Sequence, residues 1–295
     1  MSFRALALDW SVDASATALL VQLGAVAVLY LAAVARANRC DRRGRRWPTH
    51  RTFCFLTGLA AAGIDLCSGV GTEADTRLSA HMLEHMILWL IVAPLLAAGA
   101  PVRLAFHSLS RAGRRRLARC LRSRTVSALT SPVGSVSLFS VAILVTHIPA
   151  VYGLALNNEL LHETEHGLYL LTALLVWAPL IGADPLPRRA GPRGQLACML
   201  ACMLPMILIA LWLANAPNPV YGHYLTGLGP QALDDQSLAA TIMWAGGMPA
   251  FAIPALAHAR LPWHRPEQRV RAHRAHRVSI ENRPVGPDIG AVGPQ

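Results

Sequence analysis

Two pentapeptides hold the residues best suited to chemistry. His81-Met82-Leu83-Glu84-His85 and His162-Glu163-Thr164-Glu165-His166 both read H-x-x-E-H. In an α-helix, positions i, i+3 and i+4 share a face, so each motif presents two imidazoles and a carboxylate on one stripe. Neutral imidazole is the commonest side-chain ligand for transition metals. Glu84 and Glu165 can ligate directly or orient a histidine through its second nitrogen. The competing reading is a hydrogen-bonded polar cap, with the histidines bonding helix-end carbonyls and the acids facing water.

The elements that must position these residues are membrane spans. The 295 residues are 54% hydrophobic and only 15% charged, with a mean hydropathy of +0.39, too apolar for an ordinary soluble domain. Apolar runs able to cross about 30 Å of hydrocarbon fall near 14–35, 53–68, 80–99, 133–153, 162–182, 195–214 and 237–257. The expected fold is all-α, a polytopic membrane helix bundle of about seven transmembrane helices. The membrane domain occupies 1–261, and a disordered basic tail rich in Arg, His, Pro and Gly occupies 262–295.

Charge sets the orientation. All 27 basic residues are arginine, and with seven spans every one except Arg4 and Arg77 falls on the same side. The positive-inside bias makes that side cytoplasmic, with the N-terminus outside and the C-terminus inside. A six-helix count reverses the later assignments and loses this partition. The net charge of +11 then reads as topology signal and contact with anionic lipid headgroups, not as a nucleic-acid surface. The expected location is the bacterial inner membrane. The six cysteines form no C-x-x-C or paired extracellular pattern, which indicates neither a disulfide framework nor a zinc ribbon.

This topology gathers ionisable groups at one depth. The third and fifth spans both run inward, so their motifs lie at the same level near the outer face. His147 ends the fourth span there, Asp65 approaches from the second, and Asp234, Asp235 and Gln236 open the seventh. Ionisable groups just inside a bilayer face the bundle interior and mark function by default. The candidate metal ligands are therefore His81, Glu84, His85, His147, His162, Glu165, His166, Asp65 and Asp235. His223 lies in the last outer loop and reads as solvated, with a mobile ligand as the alternative. Met82, Met86, Met243 and Met248 offer soft thioethers suited to Cu(I), although methionine is also ordinary packing. Cys198, Met199, Cys202, Met203 and Met206 form a sulfur-rich run on the sixth span, read as packing with a metal relay as the alternative.

At these residues the chain resembles the CtaG family of cytochrome c oxidase assembly factors, the seven-helix type of caa3 oxidases. The matching segments are His81-Met82-x-x-His85-Met86, His147-x-Pro149-x-x-Tyr152, His162-x-x-Glu165-His166, and Asp235-Gln236-x-x-Ala239 followed by Met243-Trp244. Thr146 stands where a Trp usually precedes the histidine, and Ala240 where Gly is usual. The resemblance implies a role in maturing a haem-copper oxidase. It also implies copper as the bound metal, with zinc and iron as alternatives, and an oxidase subunit or other copper chaperones as partners. Two other classes compete. One is a membrane metalloenzyme of the zinc hydrolase or di-iron oxygenase type, with a glutamate as general base. The other is a proton or ion conductor using Asp65, Glu84 and Glu165, for which no deeper acidic relay is evident.

Overall fold

The computed structural model describes residues 14–40, 46–67, 73–187 and 191–247, which form helices and their connections with no strand among them. The expected basic tail and the first residues, including Arg4, lie outside the described residues. In chain order the main helices are α1 (Ala14–Cys40), α2 (Thr49–Cys67), α3 (Leu78–Ile87), α4 (Ala93–Ala98), α5 (Pro101–Ser108), α6 (Arg111–Leu121) and α7 (Arg124–Leu129). They continue as α8 (Pro132–Thr146), α9 (Pro149–Leu156), α10 (Glu159–Ile181), α11 (Pro192–Asn215), α12 (Leu225–Leu228) and α13 (Ala232–Thr241). A π-helical turn, Leu88–Val92, joins α3 to α4, and a second, Ile242–Gly246, extends α13.

Local sequence explains most boundaries. Ser110, Ser123 and Ser131 cap α6, α7 and α8, each accepting a hydrogen bond from the backbone N–H three residues on, and Asn158 caps α10 in the same way. Pro132, Pro149 and Pro192 open their helices, where a missing N–H costs nothing. The first π turn also has a local cause. Pro94 cannot donate to the carbonyl of Leu90 or, in the wider register, to that of Trp89. The Trp89 carbonyl instead accepts from the indole N–H of Trp177 on α10 at 2.8 Å.

Four helical stretches are long and apolar enough to cross a membrane: Ser15–Arg39, Leu78–Ser108, Glu159–Ile181 and Arg193–Asn215. The bent pair α8 and α9 makes a fifth if counted as one span. Large apolar side chains cover the outside, with Phe53 71% and Leu160 76% exposed, while His81, Asp65 and Glu84 are buried. Apolar outside and ionisable inside is the pattern lipid demands. The chain is an all-α, multi-pass membrane helix bundle.

The run read as one crossing at 133–153 is not straight. It breaks after Thr146, and α9 leaves at 78° to α8. Pro149 is the cause, because its ring holds Ile148 in extended backbone (φ −64°, ψ 125°) and ends the helix beside His147. The 19-residue α2 carries Arg51 and Asp65 and is not among the stretches that qualify by length and apolarity. The last helix is described only to Gly247, so the second half of the run 237–257 lies outside the described residues.

Five elements close into a ring. The α3 segment packs on α10 through its π turn and α4, α10 on α8, α8 on α11, α11 on α13, and α13 back on α3. Outside the ring, α2 packs against α4, and α1 against α2 and α5. At the end of this unit remote from His81, Arg36 donates to the Ser108 carbonyl at 2.7 Å and Asp184 accepts from the Arg103 N–H at 2.7 Å.

Candidate metal centre

The two H-x-x-E-H motifs meet across the interface of α3 and α10 in parallel register. His81 stands by His162 with ring centroids 5.3 Å apart and planes 11° from parallel, and His85 stands by His166 at 5.4 Å. Within each helix the i, i+4 pairs are 4.3 Å (His81 and His85) and 4.5 Å (His162 and His166) apart. The four imidazoles thus mark the corners of a rectangle. Facing His81 with His162 and His85 with His166 requires both helices to run in the same direction.

Glutamates complete the donor set. Three combinations bring one ligand atom from each residue within 4.8 Å of the others: His81, Glu84 and His162; Glu84, His85 and His166; and His81, His85 and Glu165. Glu84 Oε2 lies 3.4 Å from His166 Nε2. Both ring nitrogens of His81 and His85, Nδ1 of His166, Nε2 of His162 and Oε1 of Glu165 are buried without a hydrogen-bond partner, while His166 Nε2 and Glu84 Oε2 face each other. Buried polar atoms are nearly always paired, because leaving one bare costs kilocalories. A cation bound by nitrogen and carboxylate oxygen fits this set, with the carboxylates supplying charge compensation in a low dielectric.

The remaining expected ligands sit elsewhere. Asp235 bonds both the backbone N–H (3.1 Å) and the hydroxyl of Ser79, so it anchors the first turn of α3 two residues before His81. Neighbouring Gln236 accepts from the Val220 N–H at 2.7 Å and donates to the Leu213 carbonyl at 3.0 Å, tying α13 to the end of α11. Asp65 is buried with both oxygens unpartnered and within electrostatic reach of Glu84, but outside the three donor combinations. His147 Nδ1 lies 2.9 Å from the Ile143 carbonyl. A carbonyl only accepts, so Nδ1 carries the proton and Nε2 presents a lone pair to the interior. His223 is exposed, its Nε2 3.2 Å from the Asp75 carbonyl.

Tyrosines wall the site, Tyr152 of the family-like segment and three others that the sequence did not single out. The Tyr152 ring lies 5.2 Å from His81 and Tyr169 lies 4.3 Å from His85. Tyr169 follows Glu165 by four and His166 by three, so helical periodicity already aims it at the same face. Its hydroxyl bonds Thr146, which gives the residue standing in place of the usual Trp a role in the site's floor. Tyr152 donates to the Tyr224 hydroxyl (2.7 Å), and Tyr224 donates to the Ala74 carbonyl (3.3 Å). Tyr221 donates to the His147 carbonyl at 3.0 Å. Burial pushes the phenols of Tyr221 and Tyr224, in the connection after α11, above their usual range, so both remain neutral donors. No local pattern announces these two, since their partners are about 70 or more positions away.

Residues 28–265 match the family described as cytochrome c oxidase caa3 assembly factor (Caa3_CtaG). An uncharacterized protein of Mycobacterium leprae is 32% identical over 189 residues, covering 61% of this chain and 29% of that protein. Uncharacterized proteins of Mycobacterium bovis and Mycobacterium tuberculosis are each 31% identical over 169 residues, covering 55% of this chain and 26% of theirs. The match therefore spans under a third of these relatives' own lengths. No solved structure matches the chain. With the family matched over most of its length and the family's histidine segments drawn together by the fold, the chain belongs to the caa3-type cytochrome c oxidase assembly factors, the CtaG family.

Proposed function

We propose that this chain is a membrane assembly factor for a haem-copper oxidase, holding a transition metal ion, copper first, in the cluster of His81, Glu84, His85, His162, Glu165 and His166. The supporting observation is that two helices supply three overlapping trios of nitrogen and oxygen donors, each trio within 4.8 Å, with most of these atoms buried and without a hydrogen-bond partner. Bound there, the ion would take imidazole ligands with Glu84 or Glu165 neutralising its charge. Asp235 and Ser79 hold the α3 turn, Tyr152 and Tyr169 wall the imidazoles, and Tyr224 closes the loop that shields them from water. The partner is an oxidase subunit or another copper carrier. The chain lies in a bacterial inner membrane with about seven spans, its arginine-rich loops in the cytoplasm and the metal centre towards the outer face.

The test is elemental analysis of the detergent-purified protein beside a variant with His81, His85, His162 and His166 all changed to Ala. Copper bound in the wild type, reduced in the variant together with loss of oxidase assembly in cells, is the expected result. A variant that keeps full copper occupancy and supports assembly overturns the reading. Zinc or iron in place of copper would move the reading to the metalloenzyme alternative.

A further inference from the structure

We infer that a second, softer metal site lies deeper in the bundle, formed by the thioethers of Met82, Met86, Met206 and Met243 with the imidazoles of His85 and His147, and that it takes a monovalent d10 cation, Cu(I). All six side chains line one cavity of about 20 Å³, room for a single atom-sized guest. They come from α3, α8, α11 and the last helix, so the site exists only where the ring of helices closes. The chain has eight methionines, and four meet here. Methionine fills gaps in cores, but two of the six side chains are imidazoles, whose buried nitrogens a gap-filling role leaves unexplained. His147 is 5% and His85 6% exposed, and the Nε2 of the first and both nitrogens of the second lack partners.

The donor chemistry selects the ion. Thioethers and neutral imidazoles carry no charge, so a divalent ion here would keep its full charge in a low dielectric, whereas a monovalent one pays far less. Thioether sulfur also favours Cu(I) over harder ions. The glutamates stay with the histidine rectangle, which suits a divalent ion. The backbone makes room for two of these methionine side chains. A Cβ on Gly247 would stand 2.5 Å from the Met206 methyl, and one on Gly246 3.3 Å from the Met86 methyl. His85 belongs to both the cavity and the rectangle, so the two sites lie one side chain apart.

The inference extends the metal-binding reading above, and its test separates the two. Full-length protein in detergent is titrated with Ag(I), a redox-inert stand-in for Cu(I), and separately with Zn(II). The Met206→Leu/Met243→Leu double variant, which conserves volume, is expected to weaken Ag(I) binding at least about tenfold and leave Zn(II) binding unchanged. His162→Ala is expected to do the reverse. X-ray absorption of the wild-type Cu(I) form should show sulfur neighbours that persist in Cys198→Ala/Cys202→Ala, a readout independent of how the methionine variant folds. Nitrogen and oxygen neighbours alone, sulfur that disappears with the cysteines, or undiminished Ag(I) binding in the methionine variant would each overturn the inference. Failure of Zn(II) to bind while the silver result holds would count only against the histidine-carboxylate cluster.

Discussion

Glu84 on α3 faces His166 on α10, its Oε2 3.4 Å from the imidazole Nε2. Each belongs to a different H-x-x-E-H motif, so this contact joins two local stripes into one site. Glu84 also enters two of the three donor combinations, more than any other carboxylate. Glu84→Gln keeps the shape and removes the charge. We expect it to lower metal affinity by at least about tenfold in a competition titration, with the helical circular dichroism unchanged. An affinity equal to wild type would remove Glu84 from the site.

Asp235 serves α3 as an anchor. Asp235→Ala leaves the buried Ser79 N–H unpaired and is expected to cost about 1–2 kcal/mol, read as a lower thermal midpoint in detergent. Asp235→Asn keeps one acceptor oxygen and should recover most of the loss while retaining the metal. If Asp235 ligated the ion itself, the Asn variant would lose metal as fully as the Ala variant.

The indole of Trp177 answers a carbonyl that Pro94 leaves without a donor. Trp177→Phe keeps an aromatic ring but strands that carbonyl inside the bundle, at an expected cost of about 1–3 kcal/mol. Thermal unfolding measures it. Because the bond ties α10 to the π turn below the histidines, metal affinity should fall with it. A Phe variant with wild-type stability would show that the π turn needs no outside donor.

Tyr224 links Tyr152 to the Ala74 carbonyl and so fastens the connection after α11 over His81. Tyr224→Phe removes both bonds with little change in apolar contact. The expected effect is kinetic: a chelator should strip bound metal several-fold faster, while equilibrium occupancy stays near that of wild type. Unchanged stripping rates would mean that this connection does not gate the site.

The separate pieces of the site were legible in the linear chain, for reasons internal to one helix. A repeat of 3.6 residues places His81, Glu84 and His85 on one stripe and His162, Glu165 and His166 on another, whatever the rest of the molecule does. Apolar run length likewise marks membrane helices without any knowledge of their packing. The expectation that both motifs lie at one level agrees with their side-by-side placement. Rotation about each helix axis and the choice of neighbour are not written in any local window, because they follow from how whole faces pack. Tertiary structure alone paired His81 with His162 and His85 with His166. It turned Asp235 towards Ser79, and it brought His147 to a methionine-lined cavity. Spacing supplied the donors, and packing decided which of them share a centre.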